Sequence, residues 1–448
     1  MEIVSIQTPS LGDRSYLVHD GTVGLVVDPQ RDIDRVEQAL RAAGVRLSHV
    51  AETHVHNDYV SGGLELAQHH GAEYLMSAAE RVGFERRPVS HGEELAVGEL
   101  TVRAVAAPGH TRHHMAYVVT GGGRTAAFSG GSLLYGSVGR TDLEDPALTV
   151  ELTHAQYHSA RRLAELAGDP ASLHPTHGFG SFCSSGPATA QDSSTIAEQR
   201  TVNDALSVDD EERFVRGLIA GLNAYPSYYA HVGPINRAGP PSAELTVPVP
   251  VDAGELHERI TGGEWVVDLR ERTDFSKEHL AGTVNVEHGD LLATTVGWTL
   301  PWGRPLTLVG SDELVRSAIR ELARIGIDGL DAAVGVDVAE LADGHALASY
   351  DQAGWADVLA MTTAGGADVL LDVRRAEEYD GSHLPGAVHV PLHELLERMH
   401  RIPPGRVWVH CATGYRAAVA ASLLQRAGRE VVHINADFED AAAAGLAS

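Results

Sequence analysis

VVDLRERTDFSKEHLAGTVNV, Val266 to Val286, aligns without gaps on LLDVRRAEEYDGSHLPGAVHV, Leu370 to Val390. Asp268 falls on Asp372, Arg270 on Arg374, His279 on His383 and Gly282 on Gly386. Each copy opens on a short apolar run that reads as a buried strand. Each is followed by a second strand-like run, a short loop and a helical pattern ending in glycine: TLVGSDELVRSAIRELARIG and VWVHCATGYRAAVAASLLQRAG. The spacing exceeds that of solenoid repeats. It predicts two tandem α/β domains, each with a central parallel sheet, over residues 246–350 and 351–448.

The copies differ at the loop that matters chemically. In the second, His410-Cys411-Ala412-Thr413-Gly414-Tyr415-Arg416 joins the strand-like run to the helix. A cysteine there sits where peptide N–H groups and the helix dipole converge, and both stabilise a sulfur anion. Gly414 lets the loop curl without a Cβ, and Arg416 adds a fixed positive charge. A lone cysteine is more often a buried structural thiol; the strand–C-x-x-G-x-R–helix context argues for a reactive one. Arg416 follows Cys411 after four residues, one short of the loop with which a Cys-x5-Arg phosphatase wraps a phosphate. The first copy has Gly310 and Ser311 near this position, with Asp312 and Glu313 after them. It has no thiol, and its carboxylates repel an anionic sulfur, so it reads as non-catalytic.

Upstream, NRAGPPSAEL, Asn236 to Leu245, is rich in Pro, Gly and small polar residues and reads as a linker (236–245). Residues 1–235 alternate strand-like and helix-like segments: a strand in GLVVDP, a helix in RDIDRVEQALRAAG, a strand in VRLSHVAET, a helix over Val60 to His70, then strands in TVRAVAA and TAAFS. A helical stretch is predicted from about Ser194 to Val232.

The chain has 25 histidines, 14 of them before residue 180. Thr53-His54-Val55-His56-Asn57-Asp58-Tyr59 follows a strand-like run, and His54, His56 and Asp58 alternate. Pro108-Gly109-His110-Thr111 ends another such run, and His177 lies in a later loop. Imidazoles and carboxylates on loops after strands are the usual makings of a zinc or iron site. His54, His56, Asp58, His110 and His177 are therefore the candidate ligands. The pairs His69-His70 and His113-His114 lack this context and read as surface residues. Cys183 reads as a small buried residue rather than a resolving thiol.

With the C-terminal loop, the DVR, E-Y and H-L-P-G-A elements and the tandem copy, residues from about 351 to 448 resemble the rhodanese sulfurtransferases. The resemblance implies that Cys411 carries a persulfide, that Ala412 to Arg416 cradle it, and that Asp372 and Arg374 brace the loop. Residues 1 to about 180 resemble the metallo-β-lactamase superfamily, which implies an αββα sandwich. ETHVHNDYVSGG, APGHT and GRTD look most like the persulfide dioxygenases, relatives of glyoxalase II that oxidise glutathione persulfide to sulfite. Those use one Fe(II) held by two histidines, matched here by His54 and His110, and by an aspartate. Gly131 stands where that aspartate is expected, and Tyr59 stands where H-x-H-x-D-H ends in histidine. The substitutions count against a two-metal thioester hydrolase more than against a one-metal centre, which His56, Asp58, His177 or Asp142 could complete. The resemblance thus implies one Fe(II), or Zn, per chain. Arg140 and Tyr59 are the candidate contacts to an anionic substrate, a small thiol persulfide or thiosulfate. The alternative from another class is a metal-free scaffold in which only Cys411 is catalytic.

Composition narrows the partners. Lys and Arg number 34 against 61 Asp and Glu, a formal charge of −27, which argues against nucleic acid and against anionic membranes. No apolar run is long enough to span a bilayer. Two cysteines make no disulfide framework and fit a reducing cytoplasm. A homo-oligomer is left open.

Overall fold

The computed structural model describes residues 1–335, 337–364, 367–443 and 446; the predicted boundary at 448 lies outside them. The chain divides into two compact units, Met1–Ala243 with Ala323–Gly326, and Glu244–Leu322 with Ile327–Ser448.

In the first unit the predicted strands pair into two sheets of six. One runs Glu2–Thr8, Asp13–His19, Val23–Val27, Arg46–Ala51, Glu73–Ser77, Arg87–Val89 in spatial order, antiparallel at first and parallel from the third strand on. The other runs Ser194–Thr195, Ser172–Pro175, Arg124–Gly130, Met115–Gly121, Leu100–Ala106, Glu94–Val97. Tyr16, Val18, Leu25, Val27 and Leu75 from the first pack with Val102, Ala104, Tyr117, Val119 and Phe128 from the second. Burying a large apolar side chain contributes roughly 1.5–3 kcal/mol, so this seam holds the sheets face to face. Helices Asp34–Ala43 and Gly63–His70 cover the outer face of one sheet through Val36, Leu40 and Leu66. Thr149–Ala167 and Glu211–Ala220 cover the other through Leu163, Ala164, Phe214 and Leu218. The result is the predicted αββα sandwich.

Beyond residue 194 the single predicted helix breaks into strand Ser194–Thr195 and helices Ile196–Val202, Asp204–Ser207, Glu211–Ala220 and Tyr229–Ala238. Thr195, Asn203 and Asp210 each cap the helix that follows, so the polar punctuation wins over the apolar stripe. The last helix carries Pro234 and runs into the predicted linker, taking up Asn236 to Ala238.

The second unit holds both repeat copies, each with a parallel core sheet. The first is ordered Val284–Asn285, Trp265–Asp268, Leu306–Gly310, Asp331–Val334. The second is ordered Asp351–Ala353, Val431–Ile434, Val407–His410, Val369–Asp372, Val388–His389. The copies agree in side-chain detail. Arg270 donates to Asp268 as Arg374 does to Asp372, each through its backbone N–H and its guanidinium. His279 donates to Phe275 O as His383 does to Tyr379 O. Among the described residues no helix is long and apolar enough to cross a membrane.

Candidate functional site

Among the described residues, two places gather chemistry. In the first unit, Asp28 ends strand Val23–Val27 with φ 51°, a left-handed conformation rare outside glycine. That turn aims its carboxylate at the loop after Arg46–Ala51. It accepts the Thr53 backbone N–H and hydroxyl, both at 2.7 Å, and the Thr176 hydroxyl. Burial raises its pKa, but the charge of His56 and these donors hold it down at about 2.

Three histidines are oriented from behind. With its own hydrogen on Asp28, the Thr53 hydroxyl accepts His54 Nδ1–H at 2.8 Å. His110 Nδ1–H donates to Arg140 O at 2.7 Å. His177 Nδ1 lies 2.8 Å from Asp13 Oδ1 and 3.1 Å from Asp58 Oδ2. This leaves the Nε2 atoms to face inward. His54 and His177 approach Nε2 to Nε2 at 3.3 Å, and His110 Nε2 is buried with no hydrogen-bond partner. One ring nitrogen from each of the three lies within 4.8 Å of the others. Burial and the neighbouring rings keep His54 and His110 neutral, His110 near a pKa of about 3. Burial also opposes charge on His177, but Asp58 and Asp13 outweigh it and raise its pKa to about 9.

His56, Asp58 and His177 form a second group of donors, and Asp28, Glu52 and His56 a third. His56 Nε2 is shared among Glu52 Oε2 at 3.1 Å, Asp28 Oδ1 at 3.3 Å and the Tyr59 hydroxyl at 3.0 Å. The predicted ligands thus converge, and the donor set fits a divalent metal.

Several expectations are corrected. Arg140 is no substrate anchor: its guanidinium grips Asp142 through two bonds of 2.7 and 2.8 Å and donates to Phe182 O and Asn223 O. The same grip engages both Asp142 carboxylate oxygens, and Asp142 joins none of the donor groups around the histidines. Tyr59 is fully buried, stacked on His56 with its hydroxyl against His56 and Asp28 O, so it fixes a histidine instead of touching substrate. His114 is not a surface residue. It is buried, stacks on His54 at 4.9 Å, and its Nε2 accepts the Gly131 N–H at 3.1 Å. Asn236, placed in the linker by composition, is buried and pins the ligand loop. Its Nδ2 donates to His56 O and Tyr59 O at 2.8 Å, and its Oδ1 accepts the Ser61 N–H. Cys183 is buried, with Sγ 3.8 Å from the Tyr229 hydroxyl.

The second place is the sulfur loop. Cys411 follows strand Val407–His410 and precedes helix Tyr415–Arg426. The Gly414 N–H donates to Cys411 Sγ at 3.1 Å. Gly414 has φ 90°, and a Cβ there would lie 2.4 Å from Asn435 Oδ1, so both conformation and space require glycine. His433 Nε2–H donates to Gly414 O at 2.8 Å. Cys411 itself is buried, with Ala412 and Tyr415 half-buried and Thr413 exposed at the rim. Asp372 and Arg374 lie beneath the loop as a buried pair.

Arg416 departs from expectation. Its guanidinium forks onto Glu378, at 2.6 and 2.7 Å, so its charge is shared with that carboxylate. Burial alone would raise Glu378; Arg416 overrides it and lowers the pKa from 4.5 to about 2. A depressed carboxyl stabilises the fold above its unfolded pKa, and that contribution is lost as pH falls towards the folded value. Acid titration of urea unfolding is therefore expected to show a loss between about pH 4.5 and 2. Glu378→Gln should flatten that part of the profile.

In the first copy, register identifies what replaced the thiol. Asp372 pairs with His410 and Asp268 with Val309, so Gly310 occupies the place of Cys411. Helix Asp312–Arg324 begins two residues later, leaving no loop to line a sulfur.

Two family models match separate stretches of the chain. Residues 13–177 match the family model of the Metallo-beta-lactamase superfamily, and residues 355–444 that of the Rhodanese-like domain. The hydroxyacylglutathione hydrolase of Acidiphilium cryptum (strain JF-5) is 34% identical over 171 residues, 37% of this chain and 65% of that protein, so the chain spans just under two thirds of that relative. The mitochondrial persulfide dioxygenase ETHE1 of Homo sapiens is 27% identical over 216 residues, 48% of this chain and 75% of that protein. A metallo-beta-lactamase crystal structure from Staphylococcus aureus subsp. aureus COL superposes with a TM-score of 0.67 at 25% identity, covering 74% of this chain and 98% of that one. Residues 13–177 are accordingly a metallo-beta-lactamase superfamily domain with an ETHE1-like homologue, and residues 355–444 are a rhodanese-like domain of the same chain.

Proposed function

We propose that the chain is a sulfur-handling fusion enzyme in which Cys411 accepts sulfane sulfur and the metallo-beta-lactamase domain processes a small thiol persulfide. The observation that carries the reading is the Gly414 N–H aimed at Cys411 Sγ from the mouth of a 12-residue helix. The Cys411 thiolate attacks the outer sulfur of thiosulfate; a new S–S bond forms, the old one breaks, and sulfite leaves with its electron pair. With a thiol persulfide the leaving group is the thiolate. The backbone amide and the helix dipole then stabilise the negative charge on the terminal sulfur.

In the first unit, His54, His110 and His177 would hold one divalent metal, iron or zinc. If the metal held by these histidines were iron, it would supply a place for an anionic sulfur and O₂ to meet. Thr53, the Arg140 carbonyl, Asp13 and Asp58 fix the rings, while Tyr59 and Asn236 hold the loop around them. A two-metal hydrolase is disfavoured, because a second metal would lack donors at Gly131 and Tyr59. The scaffold reading has one observation in its favour, the missing side chain at Gly131. Metal analysis with O₂ uptake on glutathione persulfide tests the choice. About one metal per chain and O₂ consumption that survives Cys411→Ser are expected; a metal-free protein with no uptake would leave only the scaffold.

A further inference from the structure

The first unit has three overlapping donor groups, and they differ in what already satisfies them. In the third, Asp28, Glu52 and the Tyr59 hydroxyl all converge on His56 Nε2, so the group closes on itself. In the second, His56 Nδ1 and Asp58 Oδ1 are unpartnered and 4.0 Å apart, but His177 Nδ1 is already held by Asp13 and Asp58. Only the first, His54, His110 and His177, turns nitrogens inward from rings whose other nitrogens are all engaged. No carboxylate belongs to it.

The space for one has been consumed. A Cβ built on Gly131 would lie 2.2 Å from His110 Cδ2 and 2.6 Å from Cγ. A Cβ on Gly139 would lie 2.5 Å from His110 Nδ1. The imidazole sits against both glycines, in the volume a side chain at 131 would enter, and the Arg140 carbonyl holds it there.

Resting on the reading that this unit holds a metal, we propose that the centre is a tris-imidazole site, His54–His110–His177, with no carboxylate ligand. Three imidazole nitrogens would put no negative charge directly on a divalent ion, and Asp13 and Asp58 would reach it only through His177. The remaining position therefore favours a small anionic sulfur ligand, a thiolate or persulfide, over neutral ones. An all-nitrogen set also suits zinc and cobalt better than magnesium, calcium or manganese. Asp58 acts from behind, as a positioning residue for His177. Restoring an aspartate at 131 pushes His110 aside and so weakens the site.

The test is binding of Co²⁺ to the full-length, chelator-stripped protein, followed by visible absorption. We expect one cobalt per chain. His54→Ala, His110→Ala and His177→Ala should each weaken binding at least a thousandfold, and Asp58→Asn by about tenfold, the scale of a residue that orients a ligand. Gly131→Asp should weaken binding, and adding a small thiol should change the spectrum of the wild type. X-ray absorption at the cobalt edge of the wild type, which depends on no variant folding, should count three imidazoles. Tighter binding by Gly131→Asp, an Asp58→Asn loss equal to that of His110→Ala, or a carboxylate in the absorption fit would overturn the ligand set. A wild-type protein that takes up neither cobalt, zinc nor iron would instead refute the underlying reading that this unit holds a metal.

Discussion

Cys411→Ser is expected to lower thiosulfate:acceptor sulfur transfer by about three orders of magnitude or more, the usual cost of deleting a nucleophile. The hydroxyl is nearly isosteric, and the Gly414 N–H that meets Sγ at 3.1 Å can meet an oxygen, so folding should be unchanged. The measurement is steady-state cyanide-dependent thiocyanate formation, paired with mass spectrometry of the protein after thiosulfate. The wild type should gain the mass of one sulfur on the peptide carrying Cys411, and the variant should gain none. A variant that turns over at the wild-type rate would move the chemistry elsewhere in the chain.

The second large effect is on stability. Arg374→Met removes the guanidinium that reaches Asp372 through Nε at 3.0 Å and Nη2 at 2.6 Å, and that also donates to Ser382 O and lies over the Phe438 ring. Asp372 is fully buried, and a stranded carboxylate there costs about 3–5 kcal/mol. Urea unfolding of the whole chain should show an early transition for the second unit. Transfer should fall as well, because Asp372 lies beside His410 in the sheet, immediately before the thiol. The equivalent Arg270→Met is the control. Its partner Asp268 is also buried, so the stability loss should be of similar size, with the transfer rate near normal. Equal loss of transfer from both changes would show that the first copy is part of the catalytic machinery.

What the residues disclose in advance follows how local the signal is. The tandem repeat, the thiol loop and the sandwich were legible because each is written in contiguous stretches: apolar strands, a glycine at the turn, a helix behind it. The ligand loop was legible for the same reason, as alternating His54, His56 and Asp58. The support around it was not. Asp13, His114 and Asn236 lie far apart along the chain and meet only after the sheets pack; nothing beside them in sequence marks them. Asn236 was hidden further by the Gly-Pro-Pro run just after it, which reads as a linker although the helix from Tyr229 carries on past Pro234. Arg140 misled in the opposite sense. A cation beside a candidate site invites an anion, yet its partners Asp142, Phe182 O and Asn223 O already satisfy it. Glu378 was visible in the E-Y element, but its fork with Arg416 depends on where the two helices place them.

The short turn at Gly310 limits what substitution alone can do in the first copy. Placing a cysteine there would return a thiol to the end of strand Leu306–Gly310, yet helix Asp312–Arg324 begins almost at once and its first turn carries Asp312 and Glu313. No single codon change rebuilds the missing residues and removes the carboxylates together. A working thiol loop in this copy would therefore need inserted residues and the loss of both carboxylates at once.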